Sequence, residues 1–220
     1  MARRTTTIGK GPFGYVISKD EHMSEVLRRI IRRRLPLTED AVFVLMYHIL
    51  KRNNQGIILK CVKGSKDVGG YRYFNFSPDI DLLEIRKDGT IVGYELKGYR
   101  KSKGGHIAPL YYEGVDEALA YLVNPVSTPM SYSTFAGSIF DHVYLVHPFQ
   151  ETSHSGLESL TNLLHLCTPI GLAIVDYSGV KELVKAKQNP FVKEDIKKLF
   201  LRHLDAFRAS FEYRLSLVQK

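Results

Sequence analysis

Residues 79–98, "DIDLLEIRKDGTIVGYELKG", set two apolar runs on either side of Lys87-Asp88-Gly89. Such runs, rich in Ile, Leu and Val and parted by a glycine-bearing turn, predict an antiparallel pair of strands over 79–86 and 91–98. Loop length then fixes the faces, because side chains alternate along a strand and a slip of one residue inverts them. With a three-residue loop and Gly89 in the left-handed conformation, Arg86 faces Thr90 and Asp81 faces Glu95. The period of two puts Asp79 and Lys97 on that same side. A two-residue Asp-Gly turn would send Asp81 and Glu95 to opposite faces.

In the three-residue register two carboxylates sit with β-carbons about 5 Å apart and repel each other. A divalent cation between them removes that penalty, and hard oxygen ligands suit Mg²⁺ or Mn²⁺. Mg²⁺ keeps several waters and takes further ligands from substrate phosphates. A lysine beside it can orient or deprotonate an attacking water, or stabilise charge on phosphorus. This combination suits hydrolysis of a phosphodiester. The competing reading is an exposed hairpin whose acids and lysine form ordinary surface ion pairs.

The rest of the chain supplies the setting. Residues 21–34, "EHMSEVLRRIIRRR", have helical spacing, with Leu27, Ile30, Ile31 and Arg34 on one side. Arg28 stacks on Arg32, and Arg29 on Arg33, one turn apart, a repulsion that phosphates or solvation and nearby acids must offset. After Pro36, Thr38 offers a cap to a second helix, 39–53, apolar nearly all round and opened by Glu39 and Asp40. Strands are expected at 56–62, 142–147 and 170–177, the last a near-continuous apolar run of the kind buried on both faces. Helices are expected at 110–123 and 155–167, and a long one from Asn189-Pro190 to about 216, whose apolar stripe either closes the core or dimerises. Residues 63–70 and 126–140 read as loops. Basic, glycine-rich 98–106 reads as a loop whose Arg100, Lys101 and Lys103 either wrap a phosphate backbone or face solvent. Tyr99, Tyr111 and Tyr112 read as packing residues.

A net charge of +8 and a pI of about 9.4 favour a polyanionic partner about as much as a merely basic surface. Cys61 and Cys167 form no zinc or disulfide spacing, and the histidines at 142, 147, 154 and 165 fit no zinc motif. "GKGPFG" lacks the order of a phosphate loop. The apolar runs are short of a membrane span, and "MARRTTTIGKGPFGY" lacks the apolar stretch of a signal peptide; a cytoplasmic protein is expected. The alternation of elements predicts an α/β fold with helices over a central mixed sheet. A single domain is expected, with an N-terminal arm and basic helix over 1–37, a core over 38–178 and a helical extension over 179–220.

Pro78-Asp79, Asp81 and "YELKG" at 94–98, together with the order of elements from 39 to 177, resemble the PD-(D/E)XK nuclease superfamily with its restriction-endonuclease-like fold. The resemblance implies Asp81 and Glu95 as metal ligands, completed by the backbone carbonyl of Leu96, and Lys97 as the catalytic lysine. Asp79 is the alternative to Asp81. Glu39, on the first core helix, is a further implied ligand, against a plain first-turn acid. Glu113 or Glu117 corresponds to a polar position on the helix after the lysine strand, departing from the glutamine found there in relatives. The expected activity is Mg²⁺-dependent hydrolysis of DNA in restriction, repair or branched-DNA processing, with Mn²⁺ as substitute and a homodimer as one arrangement. Endonuclease, exonuclease and RNA-directed action stay open. The alternative is a catalytically silent nucleic-acid-binding or bridging module of the same fold. Arg28, Arg29, Arg32, Arg33, Arg100, Lys101 and Lys103 are the expected nucleic-acid contacts.

Overall fold

The structure is a computed structural model that describes residues 20–53, 56–62, 66–74, 80–101, 107–123, 126–128, 131–150 and 154–207. Its centre is a six-stranded mixed sheet in the order β1 (Ile57–Val62), β4 (Ile80–Ile85), β5 (Ile91–Leu96), β10 (His142–Pro148), β11 (Gly171–Val175) and β12 (Val180–Val184). β1, β4 and β5 form an antiparallel meander. β10 and β11 then add in parallel, and β12 closes the edge antiparallel. Parallel neighbours need crossovers, supplied by α3 (Val115–Val123) before β10 and α4 (His154–Cys167) before β11.

Helices cover both faces. On one, α2 (Glu39–Asn53) buries Ala41 through Tyr47 and Leu50 against Leu82, Val92, Tyr94, Leu96, Val146, Ala173 and Val175. α1 (Asp20–Arg33) rests on α2 through Ile30, which is fully buried. Ile31 is exposed instead of sharing that stripe, and Arg34 lies past the helix end at φ 46, so the apolar side is narrower than its spacing suggests. Arg28, Arg29, Arg32 and Arg33 all face solvent. The opposite face packs Leu83, Ile85, Ile91, Val143, Leu145, Leu172 and Ile174 against α3, α4 and α5 (Glu194–Arg202).

Several sequence expectations need correction. Residues 126–140 hold β8 (Val126–Thr128) and β9 (Ser131–Gly137), which join β2 (Lys66–Val68) and β3 (Tyr71–Tyr73) in a second, four-stranded sheet. The same sheet claims part of the loop expected at 63–70. These strands are short and polar, and their support comes from partners remote in sequence. The glycine-rich segment after 98 likewise pairs β6 (Tyr99–Lys101) with β7 (Ile107–Pro109). The C-terminal helix starts at Glu194, four residues after Pro190: Asn189 caps only a local turn, its Oδ1 accepting the Phe191 N–H at 3.0 Å, while its amide donates to the carbonyls of Leu122 and Phe140. That helix gives way at His203 to a short helical turn over 204–207, and residues 208–216 of the expected helix lie outside the described residues. Ile196, Phe200 and Phe207 are buried in the chain's own core, where Phe200 and Phe207 pack edge-on or tilted against Tyr73 and Phe74.

Candidate active site

The β4–β5 hairpin has the odd loop. The Arg86 N–H donates to the Thr90 carbonyl at 2.9 Å, and Gly89 adopts φ 82. Leu82 pairs with Tyr94 and Leu83 with Gly93, so the next step of this register sets Asp81 against Glu95 on the α3 side of the sheet. Lys97 follows β5. Its N–H donates to the Val146 carbonyl at 2.9 Å, which keeps the chain running beside β10 past the strand end.

Asp81 is partly buried, and its Oδ2 accepts the Leu96 N–H at 2.8 Å. Burial pushes its carboxyl up to about 7, helped by the charges of Glu39 and Glu117 and opposed by the Leu96 N–H and Lys97. Glu95 is almost fully buried. One of its oxygens meets the Lys97 ammonium and the other accepts the Tyr121 hydroxyl of α3. Burial, then the charge of Asp81, pushes Glu95 up to about 9. The pair therefore carries less than two full negative charges at neutral pH.

Lys97 also meets the Glu117 carboxylate, from the first turn of α3. Burial alone would lower the ammonium; Glu95 and Glu117 outweigh it and hold Lys97 above the ordinary lysine range. Lys97 thus stays a cation. Gly114, just before α3, makes room for it: at φ 85 a β-carbon there would overlap Lys97 Cε and Cγ and crowd Leu145.

The N-terminus of α2 closes the other side. Gly98 packs so tightly against Thr38 and Glu39 that a β-carbon would strike the Glu39 backbone, and the Tyr99 N–H donates to the Leu37 carbonyl at 2.8 Å. Glu39 is thereby brought to the rim, where its carboxylate stands 3.7 Å from Arg100 Nη2. Arg100 itself is gripped by Glu113. The turn over 111–114 and α3 therefore bring both Glu113 and Glu117 to the site cations.

The structure brings together Asp81, Glu95, Lys97, Glu39, Glu113, Glu117 and Arg100. Asp79 and Lys103 lie outside the described residues, as does the side chain of Lys101. Arg28, Arg29, Arg32 and Arg33 form an exposed basic face on α1, a separate element behind α2. Of the three tyrosines, Tyr99 packs and donates to the Phe149 carbonyl, Tyr111 is buried, and Tyr112 is exposed, correcting the packing role expected of it.

Two participants escaped the sequence reading, and His147, weighed there only as a zinc ligand, is a third. Tyr121 stands four residues after Glu117, so one helix face carries both, a signal present in the spacing. Gly114 gave no signal before its φ was known. His147, on β10, is fully buried with its ring edge-on to Tyr111, and neither ring nitrogen has a hydrogen-bond partner. Burial holds its imidazole down, to about 4, against the opposing pull of nearby Glu113.

For a metal, the carboxylates at hand are Asp81, whose Oδ2 already accepts the Leu96 N–H, and Glu95, whose oxygens already meet Lys97 and Tyr121. Among the described residues no group of three or more His, Cys, Asp or Glu side chains gathers tightly enough to hold an ion by itself. The charge of Asp81 raises Glu95, a repulsion that a divalent cation relieves, and Mg²⁺ completes its shell with water and phosphate oxygens, so the residues fit once Glu95 exchanges a present partner for the ion. Among the described residues no helix is long and apolar enough to cross a membrane. Comparison of the chain with protein-family models, curated proteins and solved structures returned no match.

Proposed function

We propose that this chain is a Mg²⁺-dependent nuclease that hydrolyses DNA phosphodiester bonds, with a core of the restriction-endonuclease-like kind. One observation carries the reading: partly buried Asp81 and buried Glu95 converge on one face at the end of a β-meander, the charge of the first raising the second, with the Lys97 ammonium against Glu95. The order of helix, three-stranded meander, crossover helix and parallel strand supports it.

In this reading Asp81, Glu95 and the Leu96 carbonyl would hold the ion, with Glu39, whose charge acts on Asp81, at the rim. When bound, Mg²⁺ supplies Lewis-acid activation of a phosphodiester and a more acidic water. Lys97, kept protonated between Glu95 and Glu117, stabilises charge building on the phosphoryl oxygens; it does not remove a proton. Tyr121 donates to Glu95 and holds its carboxylate in orientation. The Arg28, Arg29, Arg32 and Arg33 face of α1 supplies charge for the duplex backbone, an affinity that weakens with salt.

The test is cleavage of single-stranded, duplex and branched DNAs with Mg²⁺, Mn²⁺ or EDTA, for wild type, Lys97→Ala and Asp81→Asn. Metal-dependent cutting that falls at least about 100-fold in Lys97→Ala is expected. The second reading, a catalytically silent DNA-binding module, is favoured by Glu95 having both oxygens engaged by Lys97 and Tyr121. Binding without cutting under every metal would select it.

A further inference from the structure

Arg100 is the most accessible cation of the site, yet it is already occupied. Its Nε lies 3.0 and 3.1 Å from the two carboxylate oxygens of Glu113, and its Nη2 lies 2.5 Å from Oε1. This two-pronged grip is the geometry in which a guanidinium also takes a phosphate. The Arg100 side chain is 52% exposed and that of Glu113 28%, so an incoming group reaches the pair from solvent. Exposed ion pairs of this kind hold weakly, whereas a nucleic-acid phosphate brings counterion release with it. The neighbouring cation is treated alike: Glu117, four residues after Glu113, meets Lys97, three residues before Arg100.

We propose that Glu113 occupies, on Arg100, the place of a backbone phosphate, so that substrate engages the site by exchanging a phosphodiester for this carboxylate. The proposal rests on the nucleic-acid reading above and deepens it: Glu113 is an internal competitor that sets affinity. Glu39, the second acid beside Arg100, keeps the vacated guanidinium oriented toward the rim.

The experiment is binding of a fluorescently labelled duplex DNA in EDTA across a salt series, with Mg²⁺-dependent cleavage scored on the same proteins. Glu113→Gln should tighten binding about fivefold and steepen the salt dependence by about one phosphate contact. Asp67→Asn changes net charge equally at the remote Asp67–Arg72 pair and should have far less effect. In an Arg100→Gln background the gain from Glu113→Gln should vanish. A gain that persists without Arg100, or that Asp67→Asn equals, overturns the exchange. Cleavage by wild type with no effect of Glu113→Gln sinks the exchange and leaves the nuclease standing. Tightening through Arg100 with no cleavage keeps the exchange on a non-catalytic binder. No DNA binding by any of the proteins overturns both.

Discussion

Gly114 and Lys97 share one space: the Lys97 side chain passes where a β-carbon at 114 would stand. The glycine also sits at φ 85, where side chains are strained by roughly 1–2 kcal/mol. Gly114→Ala should therefore displace the Lys97 ammonium from Glu95 and Glu117 and lower cleavage by about tenfold or more. Thermal melting checks that the fold persists. Full activity in a folded Gly114→Ala protein would remove Lys97 from the chemistry.

The carboxylate pair makes stability depend on pH in a set direction. Asp81 at about 7 and Glu95 at about 9 both stand above their ordinary values of 3.8 and 4.5, so the folded state holds protons that the unfolded state gives up. This contribution is fully present below about pH 4 and is lost as pH rises through 7 toward 9. Mg²⁺ takes the place of those protons. It should raise the melting temperature more at pH 8.5 than at pH 6, and Asp81→Asn should shrink both the pH trend and the Mg²⁺ effect. An equal Mg²⁺ effect at the two values would remove these carboxylates as ligands.

His147 gives the opposite trend. Its folded value of about 4 lies below the ordinary 6.5, so the unfolded chain takes up the proton first as pH falls. The stability is present above about pH 6.5 and drains toward pH 4, on the order of 3 kcal/mol in all. His147→Leu removes two buried, unpartnered nitrogens. It should be no less stable than wild type at pH 7 and clearly more stable at pH 4.5, measured by urea unfolding. A variant that loses stability at pH 7 would show that those nitrogens are satisfied in solution.

Lys197 and Asp141 tie α5 to the central sheet. The ammonium lies 2.7–2.8 Å from the two Asp141 oxygens, and Oδ2 also accepts the Ile91 N–H at 2.7 Å. Both residues are buried, so Lys197→Met leaves an uncompensated charge and should cost roughly 3–5 kcal/mol in urea unfolding. Adding Asp141→Asn should recover part of that loss. A near-neutral single variant would mean that water reaches the carboxylate.

How much was legible beforehand follows from where each element draws its support. The β4–β5 register could be read because Gly89 fixes the loop and the loop fixes both faces. α2 could be read because Thr38, Glu39 and Asp40 mark its start and its run is apolar; the Ala41 N–H does donate to Thr38 Oγ1, at 3.4 Å. β8 and β9 could not, since their ladder depends on β3, more than fifty residues earlier. β12, at the sheet edge with exposed Val180, Lys181 and Glu182, carries no apolar pattern to announce it. At the site, the residue types showed Asp81, Glu95 and Lys97, while only tertiary packing shows that Glu113 and Glu117 answer Arg100 and Lys97.

The contact of Gly98 with Thr38 and Glu39 joins main chain to main chain. The strand bearing Glu95 and the helix bearing Glu39 are consequently held as one rigid jaw, by this backbone contact at the helix start and by the apolar layer between α2 and β5 behind it. On the opposite side Glu113 and Glu117 reach the site cations from a turn and helix whose Tyr111, Ala118, Tyr121 and Leu122 are buried in the core, so only the charged side-chain clasps, not the helix, open freely. Any widening needed to admit a thick polymer would therefore come from those side chains swinging aside at the rim.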